Sequence, residues 1–354
     1  MDALRFLAAF LVLLSHSRND FFMPFGELPV EQQNIFTVVC YFVARLGHEA
    51  VIVFFILSGF LVGGIGLERI FKGTFNATSY FIERFVRIYL PLFASIVLFY
   101  FTCLLLGDEF NWLTAIGNLF NLQGVCCDSL VSPYWSLAYE VWFYIILGGF
   151  GLVISSKSVA SKAIGLVLLF VSGFIFTSGL EFFYLYLWLL GAASYLALPS
   201  RCNKLILFYA GGACVFFVVL YQLSTDSNSL ILPFEFPSWL SSKVLELLLA
   251  IHICIFVQQI IGIIPKHSIG LKLDNLFHKL ADFSYTLYLS HRIIFLILFA
   301  YFFEKGTYEF NILSIILYLL FVAISFISCY LLYLVSERYT GYVKLIVKDY
   351  FKIL

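Results

Sequence analysis

The chain has 354 residues, of which 62% are apolar and 12% charged, and it carries 42 Phe and 22 Tyr; a soluble domain has roughly 45–50% apolar and 25% charged residues. A soluble globule is excluded, because that much aliphatic and aromatic surface would leave aggregating patches in water, whereas lipid is a solvent for it. The 21 Lys plus Arg balance 21 Asp plus Glu, and no basic block is long enough to track a phosphate backbone, so no nucleic-acid partner is expected.

Ten apolar segments lie near 3–22, 47–66, 85–106, 135–155, 163–179, 181–198, 204–222, 243–264, 281–303 and 312–336, each close to the ~20 residues a spanning helix needs. They predict an all-α, polytopic transmembrane helical bundle of about ten spans, one integral domain over residues 1–354 embedded in a lipid bilayer. The runs lack the alternation of about ten residues that a membrane β-barrel requires. With the N-terminus inside, the cytoplasmic loops collect fifteen of the 21 Lys and Arg, while the outer loop 107–134 holds Asp108, Glu109 and Asp128 and neither Lys nor Arg. Both termini are therefore expected in the cytoplasm. The eight Cys form no C-x-x-C pair and no zinc-finger spacing, and no metal is expected.

The opening stretch, Ala3 to Leu14, has the length of a signal-peptide core, but Arg5 interrupts it and no A-x-A site follows, so it reads as a retained first span. Arg5 and His16 are eleven residues apart, about 1100° of helical rotation, which puts them on one face roughly 16 Å apart along the axis. The pair admits two readings: a snorkelling Arg with a His hydrogen-bonded in the bundle, or a functional site, since ionisable groups inside a span are costly. At the outer mouth of the second span stands Gly47-His48-Glu49, followed by Phe54-Phe-Ile-Leu-Ser58-Gly59-Phe60, whose small residues permit close helix approach or a break.

The third span is preceded by Arg84-Phe-Val-Arg87, with Tyr80 and Tyr89 near. Two guanidiniums at i and i+3 make a fork suited to phosphate, although basic residues also flank cytoplasmic helix ends for topological reasons alone. The fourth span opens Pro133-Tyr-Trp135-Ser136-Leu-Ala-Tyr-Glu140-Val-Trp-Phe-Tyr144, so that Ser136, Glu140 and Tyr144 form a polar stripe on an aromatic helix. A carboxyl there needs a partner, and a contact between Glu140 and His16 is predicted; the other reading is a polar contact that only joins helices. The eighth span holds Glu246 and His252, six residues apart and on different faces, and the ninth reads Ser284-Tyr285-Thr-Leu-Tyr288-Leu-Ser290-His291-Arg292. For these, and for His48 and Glu49, packing or substrate contact is the expectation.

In order and content these motifs resemble those of the membrane-bound acyltransferase family 3, integral-membrane O-acyltransferases that decorate bacterial surface glycans. Arg5 and His16 match the family's first-helix pair, Phe54 to Phe60 its F-F-x-x-S-G-F signature, and Arg84 with Arg87 its basic pair. Trp135-Ser136-Leu137 with Glu140 and Phe143-Tyr144 matches W-S-L-x-x-E-x-x-F-Y, and Ser284 to His291 resembles S-Y-x-L-Y-L-x-H. The chain departs at Ile52, where many members carry an acidic residue, and after Glu337-Arg338, where Pro is often found. An appended extracytoplasmic hydrolase-like domain, present in some relatives, is not expected.

The resemblance implies transfer of an acyl group, most often acetyl, from cytoplasmic acyl-CoA (acetyl-CoA) to a sugar hydroxyl of a glycan acceptor, at the bacterial inner (cytoplasmic) membrane. Arg84, Arg87 and Arg5 are the expected donor-binding residues, His16 the general base and Glu140 its orienting carboxylate. His48, Glu49, Ser136, Tyr144, Tyr288 and His291 are expected to touch substrate. A transient acyl-histidine is a rival pathway. A transporter or flippase is the rival function, since charges inside spans are also a carrier's profile.

Overall fold

The computed structural model describes residues 1–197, 202–225, 240–261 and 268–351. Arg201, Lys266, Lys352 and most of the outer loop 223–242 lie outside the described residues. Among the described residues the chain forms helices and no strand. In chain order these are α1 (Asp2–Phe21), α2 (Ile35–Val43), α3 (Gly47–Ser58), a π-helical turn (Gly59–Gly64), α4 (Ile65–Phe71), α5 (Ala77–Leu106), α6 (Trp112–Leu119), α7 (Tyr134–Ser155), α8 (Val159–Ser178), α9 (Phe182–Leu196), α10 (Lys204–Thr225), α11 (Ser242–Ile261), α12 (Ser268–Asp282), α13 (Ser284–Tyr301), α14 (Ile312–Val335) and α15 (Thr340–Tyr350).

Asn side chains start several of these helices by accepting from backbone N–H groups that have no partner within the helix. Asn34 accepts from Phe36 and Thr37, Asn76 from Ser79, Asn111 from Thr114 and Asn311 from Ser314. Gly107 ends α5 at φ 75°, a left-handed conformation that a side chain would strain. The third span was expected from residue 85, but α5 begins at Ala77, so Arg84 and Arg87 sit inside a regular helix. Their i, i+3 spacing is therefore realised as a shared face.

Among the described residues, eight helical stretches are long and apolar enough to cross a membrane, by length and composition, against the ten expected. The remaining two are helices in the expected places. One is α1, whose 20 residues include Asp2, Arg5, Arg18 and Asp20. The other is α9, 15 residues long, or about 22 Å, short of a hydrocarbon layer of roughly 30 Å. The first carries charges and the second is apolar but short; both are held by neighbours. Leu13 of α1 and Leu187 of α9 are fully buried.

Burial ranks the spans by position. In the α2–α4 run, α7 and α13, 61% of the most apolar window is buried inside the protein, against 11% in α10. The first group is central and α10 peripheral, offering Phe208 and Val215 to the surroundings. One apolar cluster joins α3, the π-helical turn, α7, α9 and α11 through Ile56, Phe60, Phe143, Trp188 and Leu249. A second, rich in Phe, joins α1, α13 and α14 through Phe6, Phe21, Phe295 and Phe321. Between these clusters α1, which carries Arg5 and His16, packs on both α3 and α13, and α13 carries Tyr288 and His291.

Candidate active site

A cavity of ≈ 250 Å³ is enclosed by α1, α3, α5, α7 and α13, and its wall includes Arg5, Arg84, Arg87, Ser136, Glu140, Tyr144 and Tyr288. Four helices thus contribute the residues that sequence spacing had grouped only within single helices. Ser136, Glu140 and Tyr144 all reach it because they are spaced by four on α7. The Arg84 guanidinium lies 5.7 Å from the centroid of the Tyr144 ring, a cation–π contact. Arg84 Nε and the Tyr285 hydroxyl, both buried in the wall, make no hydrogen bond among the described residues. At the rim Asp2 meets Arg5 (3.6 Å) and His278 (2.8 Å); its hydrogen bond raises the pKa of the exposed His278 imidazole above the ordinary histidine value.

Glu140 ends a hydrogen-bonded chain. The Tyr144 hydroxyl donates to the Glu140 carboxylate, Ser58 Oγ lies 3.1 Å from that hydroxyl, and Trp188 Nε1 donates to Ser58 Oγ at 3.2 Å. An indole N–H can only donate and an ionised carboxylate only accept, so the chain runs one way, from Trp188 through Ser58 and Tyr144 to Glu140. Ser58 reaches it because α9 comes very close to the S-G-F turn. A Cβ on Gly59 would fall 2.0 Å from the Trp188 carbonyl oxygen, and one on Gly191 2.4 Å from that of Ile56. The π-helical turn at Gly59–Gly64 sits at this contact, in keeping with the use of such turns at functional sites. The sequence did not mark Trp188; its indole is legible only once α9 is placed.

Ser136 and Tyr288 line the cavity, and their hydroxyls are 2.6 Å apart. From there a row of rings continues: Tyr288 to His291 at 6.4 Å between centroids, and His291 to His16 at 5.3 Å. His16 is not part of the cavity wall. The predicted contact between Glu140 and His16 is corrected by this arrangement: Glu140 accepts from Tyr144, and no hydrogen bond or ion pair joins it to His16 among the described residues. The two lie at different levels of the bundle, because Glu140 faces the guanidinium end while His16 stands eleven residues along α1 from Arg5. At the level of His16, Arg292 of α13 is ion-paired with Asp20 of α1, and Lys305 lies 3.6 Å from the same carboxylate. Asp20, four residues after His16, carried a spacing signal that the sequence reading passed over.

His48 and Glu49 are placed elsewhere, against α10 and α11. His48 Nε2 is 3.3 Å from Glu246, Gln222 Nε2 donates to Glu49 at 3.0 Å, and Lys243 approaches both Glu181 (3.1 Å) and Glu246 (3.7 Å). Glu49 also borders a second, almost wholly apolar pocket of ≈ 270 Å³ between α1, α3, α10 and α11. His252 is separate from Glu246, as expected from their spacing: its Nδ1 is 2.7 Å from the Leu248 carbonyl and its ring lies 4.9 Å from that of Phe217.

A family model described as an acyltransferase domain, that of acyltransferase family 3, matches residues 1–334. The chain belongs to this family. As an acyltransferase it is a membrane-embedded transferase, and the motifs that carried the resemblance are the ones that line the cavity and the ring row. No curated protein and no solved structure matches the chain.

Proposed function

We propose that this acyltransferase moves an acetyl or other short acyl group from acyl-CoA to a sugar hydroxyl of a surface or lipid-linked glycan, in the cytoplasmic membrane of a bacterium. The observation that carries this reading is the cavity itself: three guanidiniums at one end, and at the other a row of rings leading to His16. The Lys and Arg bias assigns the guanidinium end to the cytoplasm, where a phosphorylated donor is available. Arg84 and Arg87 suit its phosphates, since guanidinium forks bind phosphate oxygens through charge-assisted hydrogen bonds. The unbranched pantetheine arm then passes Arg5 and Glu140 toward Tyr288.

His16 acts as general base. The acceptor oxygen attacks the thioester carbonyl carbon as His16 takes the hydroxyl proton. The C–S bond breaks with its electron pair on sulfur, and the imidazolium returns the proton to the leaving thiolate, giving an ester and free coenzyme A. The hydrogen bond between Ser136 and Tyr288 crosses the path, so the thioester reaches His16 only when Tyr288 swings aside.

The test is label transfer by the purified protein in proteoliposomes. Radiolabelled acetyl-CoA is supplied on one side, and surface polysaccharide or its lipid-linked precursor on the other. Labelled ester on the glycan is the expected result. Translocation of the glycan without ester formation would replace this reading with that of a flippase.

A further inference from the structure

A base inside a lipid layer needs a fixed tautomer, because an imidazole that can present either N–H or lone pair to the acceptor wastes half its encounters. The sequence nominated Glu140 for that task, and the structure employs Glu140 in the Tyr144 chain instead. The fully buried imidazole of His291 is a ring neighbour of His16.

Two features of His291 bear on its role. Its Nδ1 lies 2.9 Å from the carbonyl oxygen of Leu287, one turn earlier on α13; a carbonyl only accepts, so Nδ1 carries the proton and Nε2 the lone pair. That Nε2 atom is buried and makes no hydrogen bond among the described residues. A buried acceptor left unmet is costly and calls for a partner. The Leu287 contact turns Nε2 away from the backbone of α13, and α13 packs on α1 beside His16. Tyr288 and Phe295 are the other rings around it; the Tyr288 hydroxyl is engaged with Ser136 and Phe295 offers no donor. Asp20 and Arg292 tie α1 to α13 one turn from His16 and one residue from His291, fixing the separation of the two rings.

From this geometry we infer that His291 is a positioning residue for His16: the two rings stand 5.3 Å apart between centroids without a hydrogen bond in this structure, and rotation of the His16 ring as substrate binds lets His291 Nε2 accept from one His16 nitrogen and so leave the other, with its lone pair, for the acceptor hydroxyl. The inference rests on the reading of His16 as the base. No atom of His291 reacts. When His16 becomes imidazolium, the same Nε2 accepts from a stronger donor, so the contact favours the charged form that appears as the hydroxyl is deprotonated.

The test compares three single variants with His16→Ala, using acetyl-CoA and the glycan acceptor in proteoliposomes. His291→Gln keeps an acceptor near the Nε2 position, whereas His291→Asn can reproduce only the Leu287 contact and His291→Leu neither. Loss of an orienting partner should lower kcat by roughly 10²-fold in the Leu and Asn variants. The Gln variant should stay within about 10-fold of the parent, and the KM for acetyl-CoA should be unchanged within about twofold in all three. Parental kcat in the Leu variant would overturn the inference, as would a Gln variant no better than Asn, which would show that only ring volume matters. If Leu fails to fold, the Gln and Asn pair still decides. Full activity in His16→Ala marks the different failure, that of the base assignment itself, and removes the inference with it.

Discussion

Two polar assemblies are buried in this bundle, and they differ in what surrounds them. Around Glu140, the cations Arg5, Arg84 and Arg87 share the wall of a cavity; buried polar atoms without a hydrogen bond among the described residues occur in both assemblies, Arg84 Nε and the Tyr285 hydroxyl in this one and His48 Nε2 and Glu246 Oε2 in the other. Around Glu246, His48, Lys243, Gln222 and Glu49 face one another across α3, α10 and α11, and the neighbouring pocket is apolar. The cost of placing charge in lipid is met in the second assembly by mutual contact, and in the first by a space that a charged ligand can enter. An ionisable residue in a span is thus not sufficient to mark chemistry; a cavity beside it discriminates.

The largest expected effect tests that distinction. Replacing Arg84 and Arg87 together by Ala removes charge-assisted contacts of about 1.5–3 kcal/mol each, so the KM or Kd for acetyl-CoA should rise by at least roughly 10²-fold. Glu246→Gln, which removes one buried charge from the other assembly, should lower thermal stability in detergent while the donor KM stays put. If Glu246→Gln weakened donor binding as strongly as the arginine pair, the two regions would not be functionally distinct.

A second effect is structural and intermediate in size. Gly59→Ala would set a methyl group 2.0 Å from the Trp188 carbonyl oxygen. Backbone cannot give way as a side-chain tip can, and overpacking of this kind costs typically about 1–3 kcal/mol. The melting temperature should fall and the Trp188 to Glu140 chain should part, with loss of activity exceeding that of Gly212→Ala, where a Cβ meets open space.

The smallest effect separates two roles for Tyr288. If its hydroxyl only closes the path with Ser136, Tyr288→Phe removes a bond of about 1 kcal/mol and leaves kcat within a few-fold of the parent. Were that hydroxyl instead to stabilise the tetrahedral oxyanion, kcat would drop by roughly 10²–10³-fold. Steady-state kinetics on the one variant decides between them.

Much of the fold and part of the site were legible in the sequence, for identifiable reasons. Helical periodicity transmits faces, so Arg84 with Arg87, and Ser136 with Glu140 and Tyr144, were correctly grouped. Periodicity says nothing about which helix lies opposite, and the misplaced Glu140 contact is of that kind. Glu140 was matched to His16 on estimated depth, while the structure gives it Tyr144 from its own helix. His48 and Glu49, expected to serve packing or substrate contact, face α10 and α11, partners that spacing along α3 could not name. The amphipathic helices α12 and α15 were not foreseen, being too polar for a search based on spans. Neither α1 nor α9 meets the demands of an independent span, since the charges of the first and the brevity of the second are tolerated only by packing.

The central claim is that an imidazole on α1 performs the proton transfer for a donor bound at the arginine end. It is tested most directly by purified His16→Ala, measured in parallel for binding of acetyl-CoA and for transfer of its label to glycan. The account predicts donor binding within about twofold of the parent together with loss of transfer of at least roughly 10²–10⁴-fold, the range for a general base. Transfer at the parental rate, or loss of donor binding with no specific loss of transfer, would contradict it.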